Sequence, residues 1–271
     1  MVSGFKICWC VGLMVVETLC KIWSKLGIKQ GDTVLIHSNI SSILRYFLRQ
    51  KYECTPENIF DSIMSQIGSD GTLLLPTFNF EFCEGVEFHI HKTTSQMGLL
   101  SEYCRRRKDA VRTGHPVYSF CVFGKMSEKF KNLKNRSGYG EDSPFSEILK
   151  ANGKVLIINL PDQNSMTFYH FVEESQQVEY RFMKSFTAYY TGTDHKRKLE
   201  TFQIFVRRRD LGVETSVERM RIFLENNNHY CVVSGPGSID MRIINSVTLF
   251  QQTSRIIKDG LAKQYLYKIV N

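Results

Sequence analysis

The segment GDTVLIHSNISSI, residues 31–43, contains the pattern that decides the fold. A Gly-Asp turn opens it, and the run from Thr33 to His37 predicts a strand that is buried on both faces. A loop rich in serine and asparagine follows, of the kind that caps a helix. Glycine, apolar strand and polar residues recur in this order in GSDGTLLLPTFNF (68–80) and GKVLIINLP (153–161). We therefore expect three buried strands, the last running from Val155 to Asn159.

A helical pattern at residues 56–67 lies between the first and second of these strands, and another at residues 165–178 follows the third. Buried strands that alternate with helices predict an α/β fold with a mixed, largely parallel sheet. Residues 185–211 alternate polar and apolar side chains about the charged turn GTDHKRK, which predicts an antiparallel hairpin extension of that sheet. No repeat or linker divides residues 1–271, so a single domain is predicted. The remaining predicted elements are a strand and turn at 229–238 and helices at 216–226 and 240–258.

The N-terminal residues contain an apolar run, Ile7 to Val16, behind a single lysine. This run resembles the hydrophobic part of a signal peptide, but it lacks a clear cleavage site and is too short to span a bilayer. Together with the apolar residues up to Gly27, it predicts a helix over residues 1–27 that is buried or faces a partner. The eight cysteines include no C-x-x-C pair, which indicates reduced thiols. We expect a cytoplasmic protein without stable membrane insertion.

The formal charge of +8 favours an anionic partner, such as nucleic acid, a phosphorylated cofactor or a membrane surface. The chain contains neither a P-loop nor a G-x-G-x-x-G motif after a strand. Its aromatic residues are not interleaved with its basic runs, so no nucleic-acid partner is predicted. Each basic run alone is typical of a solvated surface, but together the runs would suit a rim that binds phosphate. These runs are residues 105–108, 196–198 and 207–209.

The segment NSMTFYHFVEE, residues 164–174, is the strongest candidate for chemistry. On a helix, at about 100° per residue, it has an apolar and a polar side. The apolar side comprises Phe168, Phe171 and Val172, and the polar side comprises Thr167, His170, Glu173 and Glu174. The polar side is either a solvated surface or a general base, His170, with an orienting carboxylate. Glu173 and Glu174 follow His170 at helical contact spacings, so periodicity does not choose between them.

Polar residues also follow the three buried strands, at the edge where ligands bind in sheets of this type. These groups are His37 to Asn39, Thr77 to Asn79, and Asn159 to Thr167. A further histidine, His115, precedes a proline in AVRTGHPVYSF (110–120), which fixes an extended or turn backbone there. Ordinary surface loops are the alternative in every case. A zinc site assembled from distant ligands also stays open, and its candidate ligands are Cys83, His89, His91, His115 and His170.

Six stretches of the chain, in this order, resemble the aminoglycoside 3-N-acetyltransferase family. They are GDTVLIHSNISSI, GTLLLPTF, MGLLSEYCRRRKDAVRTGHPVYSF, YGEDSPFSEIL, GKVLIINLP and TFYHFVEE, and they span roughly residues 25–185. The resemblance implies a three-layer α/β/α fold. It also implies acyl-CoA as the donor, with coenzyme A as the co-substrate, and transfer of the acyl group to a primary amine. These are the anionic cofactor and the reaction that we expect.

Within the family, FNFEFCEG, TFYHFVEE, VEYRFMKSF and RRRDL resemble a branch encoded with genes for surface polysaccharides, including lipopolysaccharide O-antigen. That branch implies a nucleotide-linked amino sugar as the acceptor. The drug-modifying branch typically has Asn-Thr four residues before the histidine, whereas Asn164 lies six before His170. Two alternatives stay open, an aminoglycoside-modifying N-acetyltransferase and a non-catalytic protein that binds anions or nucleic acid. Homo-oligomer formation is a further expectation.

The resemblance also implies a role for each candidate residue. His170 is expected to be the general base, since an imidazole of near-neutral pKa suits removal of a proton from the attacking amine. Glu173, which aligns with the family's glutamate, is expected to fix the histidine tautomer. Thr167 is expected to donate its hydroxyl to the developing oxyanion. The residues implied to line the path of the pantetheine and phosphates are His37, Ser38, Ser41, Arg112, His115 and Ser119.

Overall fold

The computed structural model describes residues 3–131, 133 and 135–270, with side chains from Gly12 onward. The predicted helix over residues 1–27 is observed from Ser3, while Met1 and Val2 lie outside the described residues. The helices are α1 (Ser3–Lys25), α2 (Ser41–Arg49), α3 (Pro56–Ile67), α4 (Leu99–Arg105), α5 (Ser127–Lys131), α6 (Pro144–Lys150), α7 (Phe168–Ser175), α8 (Glu218–Asn226), α9 (Ser246–Lys258) and α10 (Ala262–Tyr265). The strands are β1 (Thr33–Ser38), β2 (Thr72–Pro76), β3 (Phe88–His89), β4 (Val111–Arg112), β5 (Phe120–Gly124), β6 (Lys154–Ile158), β7 (Arg181–Thr191), β8 (Arg197–Arg207), β9 (Val213–Thr215), β10 (Cys231–Gly235), β11 (Ile239–Asn245) and β12 (Tyr267–Ile269).

A seven-stranded sheet forms the centre of the molecule, in the order β10-β11-β6-β1-β2-β5-β4. Strand β1 pairs in parallel with β2 on one side and with β6 on the other. The outer pairs are antiparallel. The predicted mixed sheet is confirmed, but its parallel part is smaller than predicted. It contains only β6, β1 and β2, because β5 and β11 return antiparallel beside the outer two of these strands.

Helices cover both faces of this sheet. Successive strand residues point to opposite faces, so each central strand contributes to two separate cores. Ile36 belongs to the core that contains residues of α1, α2, α3 and α4. Its neighbour Leu35 belongs to the core that contains residues of α6, α7, α8 and α9. The three-layer α/β/α arrangement implied by the resemblance is therefore confirmed.

The predicted hairpin is formed by β7 and β8, and it spans residues 181–207 instead of 185–211. Its ladder is continuous from the pair Arg181–Arg207 to the pair Thr191–Arg197. The prediction that it extends the main sheet is wrong, because β7 pairs with β3 and the three strands form a sheet of their own. Ile204 and Phe205 pack into the core that contains α7, which holds this sheet beside that helix.

The predicted helix at 240–258 is correct only in its second part. Residues 239–245 form β11, whose backbone pairs with β6, and α9 begins at Ser246. The side chain of Asn245 caps this helix, since its Oδ1 accepts hydrogen bonds from the backbone N–H groups of Val247 and Thr248. A short apolar run fits a strand as well as a helix, so the pattern alone did not separate the two.

Two further sequence-based expectations concern the surroundings of the protein. Among the helices of the described residues, none is long and apolar enough to cross a membrane. The cysteines whose side chains the structure describes are free thiols, in agreement with the prediction from their spacing. They are Cys20, Cys54, Cys83, Cys104, Cys121 and Cys231.

One buried hydrogen bond joins α1 to α3, and it provides a test of this packing. The indole N–H of Trp23 donates to Ser62 Oγ at 2.9 Å, and both side chains are fully buried. Ser62→Ala leaves the indole N–H buried without a partner, which costs about 1–3 kcal/mol. We expect the free energy of unfolding in urea to fall by that amount. Ser65→Ala, at an exposed position of the same helix, is the control. An equal loss of stability in both variants would contradict a contribution from the bond between Trp23 and Ser62.

Candidate active site

Helix α7 carries the segment that the sequence singled out. It runs from Phe168 to Ser175 and is shorter than the predicted 165–178 at both ends. Ser165 is the C-cap of a preceding 3-10 turn, and Gln177, with a positive φ of 48°, lies beyond the end of the helix. Its apolar side is buried in the core as predicted, with Phe168, Phe171 and Val172 at most 4% exposed. The opposite side faces the β7–β8 hairpin.

His170, Glu173 and Arg181 form a tight cluster between α7 and β7. Glu173 Oε2 lies 2.7 Å from His170 Nδ1 and 2.7 Å from Arg181 Nε. Arg181 Nη2 lies 2.9 Å from the same imidazole nitrogen. Nδ1 can donate to Glu173 or accept from Arg181, but it cannot do both. The Arg181 guanidinium has other acceptors, the Phe205 carbonyl and Thr215 Oγ1, so we assign the proton to Nδ1, where it bonds to Glu173. The lone pair is then on Nε2, which is the atom available to accept a proton.

The surroundings keep this imidazole neutral. Burial lowers the pKa of His170, and the nearby charge of Arg181 lowers it further, which outweighs the opposite effect of Glu173. Burial alone would raise the pKa of Glu173, but the charge of Arg181 and the bond to His170 hold it below its usual range. A neutral histidine beside an ionised carboxylate is the arrangement required of a general base.

The second carboxylate, Glu174, points elsewhere. It is buried and accepts a hydrogen bond from Ser137 Oγ at 2.7 Å, and burial raises its pKa. The predicted contact between His170 and Glu173 is therefore confirmed, while the role of that contact in catalysis stays a prediction. The alternative of a solvated polar surface is wrong, because Glu173 and Glu174 are 1% and 7% exposed.

His170 lies in the wall of a large cleft, of about 980 Å³, between α7 and the hairpin. About a fifth of its side chain, 21%, is exposed there. The ring of Tyr139 stands edge to face with the imidazole, with 5.4 Å between ring centroids. A ligand in the cleft can therefore reach His170, the residue that the sequence predicts to be the general base. Its other polar wall residues are Glu84, Lys184, Arg207, Arg208, Arg209, Asp210 and Thr215.

A second cavity, of about 430 Å³, lies at the carboxyl ends of β1, β2 and β6. Its lining includes three predicted cofactor residues, His37, Ser38 and Ser41, together with Asn164. Two of the three polar strand ends thus meet as predicted. The third does not, because the Thr77 hydroxyl is buried against the hydroxyl of Ser119 at 3.1 Å. The two cavities are neighbours, since Phe80 of the cleft donates its backbone N–H to Gln96 Oε1 of the second cavity.

His37 is the unusual residue of the second cavity. It is 4% exposed, and its Nε2 has no hydrogen-bond partner among the described residues. Burial lowers its pKa to about 3, so the ring is neutral. A buried polar atom without a partner is rare in folded proteins, and His37 forms part of the cavity wall.

The other predicted cofactor residues are enclosed by the protein. The Arg112 guanidinium donates to the backbone carbonyls of Ile90, Thr93 and Thr77, and to Ser119 Oγ. His115 is fully buried, and burial lowers its pKa to about 4. Its Nδ1 accepts a backbone N–H and its Nε2 faces the Gln203 carbonyl at 3.3 Å. The structure places these side chains within the scaffold, and His115 is not held out from a surface loop.

Thr167 and the metal candidates complete the set of predicted residues. Thr167 occupies the N-cap position of α7, and its hydroxyl makes no hydrogen bond to the described part of the chain. It is therefore available at the start of the helix, although its predicted role is untested. Within the ranges that the structure describes, no group of three histidine, cysteine or carboxylate side chains is arranged to hold a metal ion. His89 and His91 lie with ring centroids 6.0 Å apart and lack such a third ligand.

Sequence reasoning did not identify Arg181, the third member of the cluster. It lies eleven residues after His170, beyond the reach of a helical spacing rule, and its contact depends on the position of β7. The stretch VEYRFMKSF, which contributed to the family resemblance, contains it, but no local pattern indicates its direction.

A three-layer α/β/α fold with a neutral histidine and a carboxylate at a cleft defines a class of proteins equipped for general-base chemistry. The chain belongs to the aminoglycoside 3-N-acetyltransferase family, whose model matches residues 35–257. The family prediction is confirmed. The comparisons do not show the finer assignment to the branch that acts on nucleotide-linked amino sugars.

Relatives support the same family. The chain is 26% identical, over 171 residues, to an aminoglycoside N(3')-acetyltransferase-like protein, YokD, of Bacillus subtilis, with 55% of this chain and 60% of that protein covered. It is 25% identical over 184 residues to aminoglycoside N(3)-acetyltransferase VIII of Streptomyces fradiae, with 60% and 61% covered. The chain thus matches about three fifths of the length of these curated relatives.

Solved structures share the fold over a larger part of the chain. Aminoglycoside acetyltransferase AAC(3)-Xa superposes with a TM-score of 0.77 at 19% identity, covering 91% of this chain and 93% of that one. A binary complex of AAC-IIIb with CoASH gives a TM-score of 0.76 at 17% identity, covering 90% and 96%. At these identities the likeness establishes the fold.

The contact between His170 and Glu173 predicts how the histidine titrates. An NMR titration should give His170 a pKa below the ordinary value of about 6.5. Glu173→Gln removes the charge that raises this pKa and leaves the charge of Arg181 in place, so the pKa should fall further. Glu174→Gln, which changes the neighbouring carboxylate, is the matched control and should leave it unchanged. If the pKa of His170 shifted only in Glu174→Gln, Glu174 and not Glu173 would be the partner of the histidine.

Proposed function

We propose that this protein is an acyl-CoA-dependent N-acetyltransferase that acylates the primary amine of an amino sugar. The observation that carries the proposal is the neutral His170, paired with Glu173 and exposed at the large cleft. Family membership supports the reaction type, and the likeness to a protein solved with coenzyme A supports the donor. Because less than two thirds of each curated relative is matched, the activity is inferred and not taken over from them.

The chemistry follows from the geometry of the pair. The amine nitrogen attacks the thioester carbonyl, the carbon–nitrogen bond forms, and the nitrogen must lose a proton. Nε2 of His170 accepts that proton, and the thiolate of coenzyme A leaves as the carbonyl reforms. Glu173 holds the Nδ1 proton in place and stabilises the imidazolium without taking the proton itself. Thr167, at the start of α7, is our candidate donor to the oxyanion.

The second cavity is our candidate for the cofactor side. It lies beyond the carboxyl ends of the parallel strands, where ligands bind in α/β sheets. Ser38, Ser41 and the unpartnered Nε2 of His37 supply hydrogen-bonding groups for the amides of pantetheine. The backbone amides at the start of α2 point in the sense that suits an anion. This assignment places the thioester and the amine in neighbouring cavities.

Two classes of acceptor compete. Aminoglycosides are supported by the names of the relatives and by a similar structure solved with bound sisomicin, at 17% identity and a TM-score of 0.72. The nucleotide-linked amino sugar, favoured by the sequence motifs, has no support in these comparisons. The comparisons alone therefore favour the aminoglycoside. A non-catalytic role in binding anions is disfavoured by the geometry, because it gives no reason for a neutral histidine with a fixed tautomer.

His170→Ala tests the proposed base. We expect turnover, measured as thiol release from acetyl-CoA in the presence of an amine, to fall by about 100-fold or more. Coenzyme A binding, followed by calorimetry, should be retained, because His170 lies in the cleft and not in the second cavity. Retention of the wild-type rate at neutral pH would remove His170 from the mechanism. His229→Ala, at a histidine outside both cavities, is the control.

His37→Leu tests the proposed cofactor cavity. The substitution removes the Nε2 atom that lacks a protein partner, so folding should be intact. One hydrogen bond to the cofactor is lost, and the dissociation constant of coenzyme A should rise by about 3- to 10-fold. His229→Leu should leave it unchanged. Equal affinities for wild type and His37→Leu would show that coenzyme A makes no contact with this ring.

A further inference from the structure

The large cleft beside His170 carries an excess of positive charge. Its walls hold five cationic and two anionic side chains, and the balance is +2 when Glu173, the partner of Arg181, is also counted. Two of the cations already have a carboxylate partner: Arg181 lies 2.7 Å from Glu173, and Arg208 lies 3.6 Å from Asp210. The others make no ion pair with any residue that the structure describes. These are Lys184, Arg207 and Arg209.

Arg207 occupies a costly position. It lies directly opposite Arg181 in the ladder of β7 and β8, so both side chains extend from the same face of the hairpin. Like charges directly opposite each other destabilise a hairpin. Burial, followed by the charges of Arg209 and Arg181, lowers the pKa of Arg207. Glu214 acts in the opposite direction, but it is itself within 3.5 Å of Lys268. Glu173 offsets part of the charge of Arg181, whereas Arg207 has no ion-pair partner among the described residues. Its charge is therefore the one that a bound anion would offset.

The cleft also has exposed aromatic rings in its walls. Phe80 and Phe182 line the same cleft and are 41% and 36% exposed. Exposed rings of this size provide apolar contact area for a sugar or a base, while cations in the same cleft bind a charged substituent. The volume of about 980 Å³ is sufficient for a sugar with such a substituent.

The cations are within electrostatic reach of the proposed base. The charge of Arg207 is one of those that lower the pKa of His170. Arg207 also lines the same cleft as His170 and lies opposite Arg181, whose Nη2 is 2.9 Å from His170 Nδ1. A molecule bound at Arg207 therefore lies beside the imidazole. The acceptor is the substrate that must bring its amine to this atom.

We propose that Arg207 and Arg209 form an anion subsite for the acceptor, which is therefore a phosphorylated amino sugar. This inference rests on the proposed function, since it names the substrate class of the same site. A polycationic aminoglycoside would meet repulsion from the same two side chains. Phosphates of the bound coenzyme A have the same chemistry, and the experiment distinguishes the two sources.

The subsite is tested by titrating the protein with inorganic pyrophosphate in a calorimeter, first alone and then saturated with coenzyme A. We expect binding in both states, weakened about tenfold by Arg207→Gln or Arg209→Gln, the scale of one charge-assisted hydrogen bond. Arg255→Gln, at an exposed position of α9, is the matched control. Binding should also raise the pKa of His170 in an NMR titration. Circular dichroism is used to check that each variant is folded. If Arg207→Gln misfolds, Arg209→Gln, at an exposed position, still tests the subsite.

The substrate class is tested by turnover with glucosamine 1-phosphate, glucosamine and sisomicin. We expect kcat/KM to be at least tenfold higher for the phosphorylated sugar than for the neutral sugar, and lowest for sisomicin. Arg207→Gln should remove most of the difference between the first two, chiefly through KM for the acceptor, with KM for acetyl-CoA unchanged.

Three outcomes overturn the inference. Pyrophosphate binding that disappears on saturation with coenzyme A would assign the cations to the cofactor. Equal affinity in wild type and both variants would show that there is no subsite at these residues. A preference for sisomicin over the phosphorylated sugar would reverse the substrate class while the proposed function stood. Absence of turnover with every amine would instead refute the proposed function, and the pyrophosphate titration would still decide the subsite.

Discussion

The ion pair between Glu173 and Arg181 is the contact on which the rest of the site depends. A carboxylate that is 1% exposed is stable in its ionised form only beside a charge of opposite sign. Arg181 supplies that charge from the first residue of β7, and it thereby fixes the start of the hairpin against α7. The tautomer of His170, the wall of the cleft and the separation of the hairpin from the main sheet are consistent with this contact. Removal of either partner leaves the other as a buried, unpaired charge, which costs about 3–5 kcal/mol.

Much of the fold is predictable because its central elements have distinctive local patterns. The strands around Leu35 and Leu74 are continuous apolar runs with turn residues at their starts, and the helix at residues 56–67 has its cap and its periodicity in the sequence. The errors occur where one sequence pattern fits both a helix and a strand, or where the pairing of strands is not a local property. Residues 239–245 are apolar enough for a buried helix, and only pairing with β6 makes them a strand. Whether the hairpin joins the main sheet depends on contacts between distant segments, which no local pattern contains.

The candidate site divides in the same way. His170 and Glu173 are three residues apart on one helix, so their contact was among those that periodicity allowed, and the family motif selected it. Arg112 and Ser119 were also selected by motif, but the direction of a side chain beside a strand is set by what packs on it. Both side chains donate hydrogen bonds to backbone carbonyls of neighbouring segments. A motif therefore located the polar residues near the site but did not distinguish those that face a cavity from those that hold its walls.

The charges of the cleft bear directly on how His170 works as a base. Before the acceptor binds, burial, then the charge of Arg181 and to a smaller extent that of Arg207, lower the pKa of His170, so the imidazole is neutral and able to accept a proton. The same charges oppose the imidazolium that forms when the amine is deprotonated. In the mechanism that we propose, an anionic group on the acceptor binds at Arg207, offsets one of these charges and raises the proton affinity of His170 only while the substrate is present. A neutral or cationic acceptor does not provide this adjustment. On this proposal, the charge of Arg207 acts in the mechanism as well as in binding, because the acceptor that offsets it also activates the base.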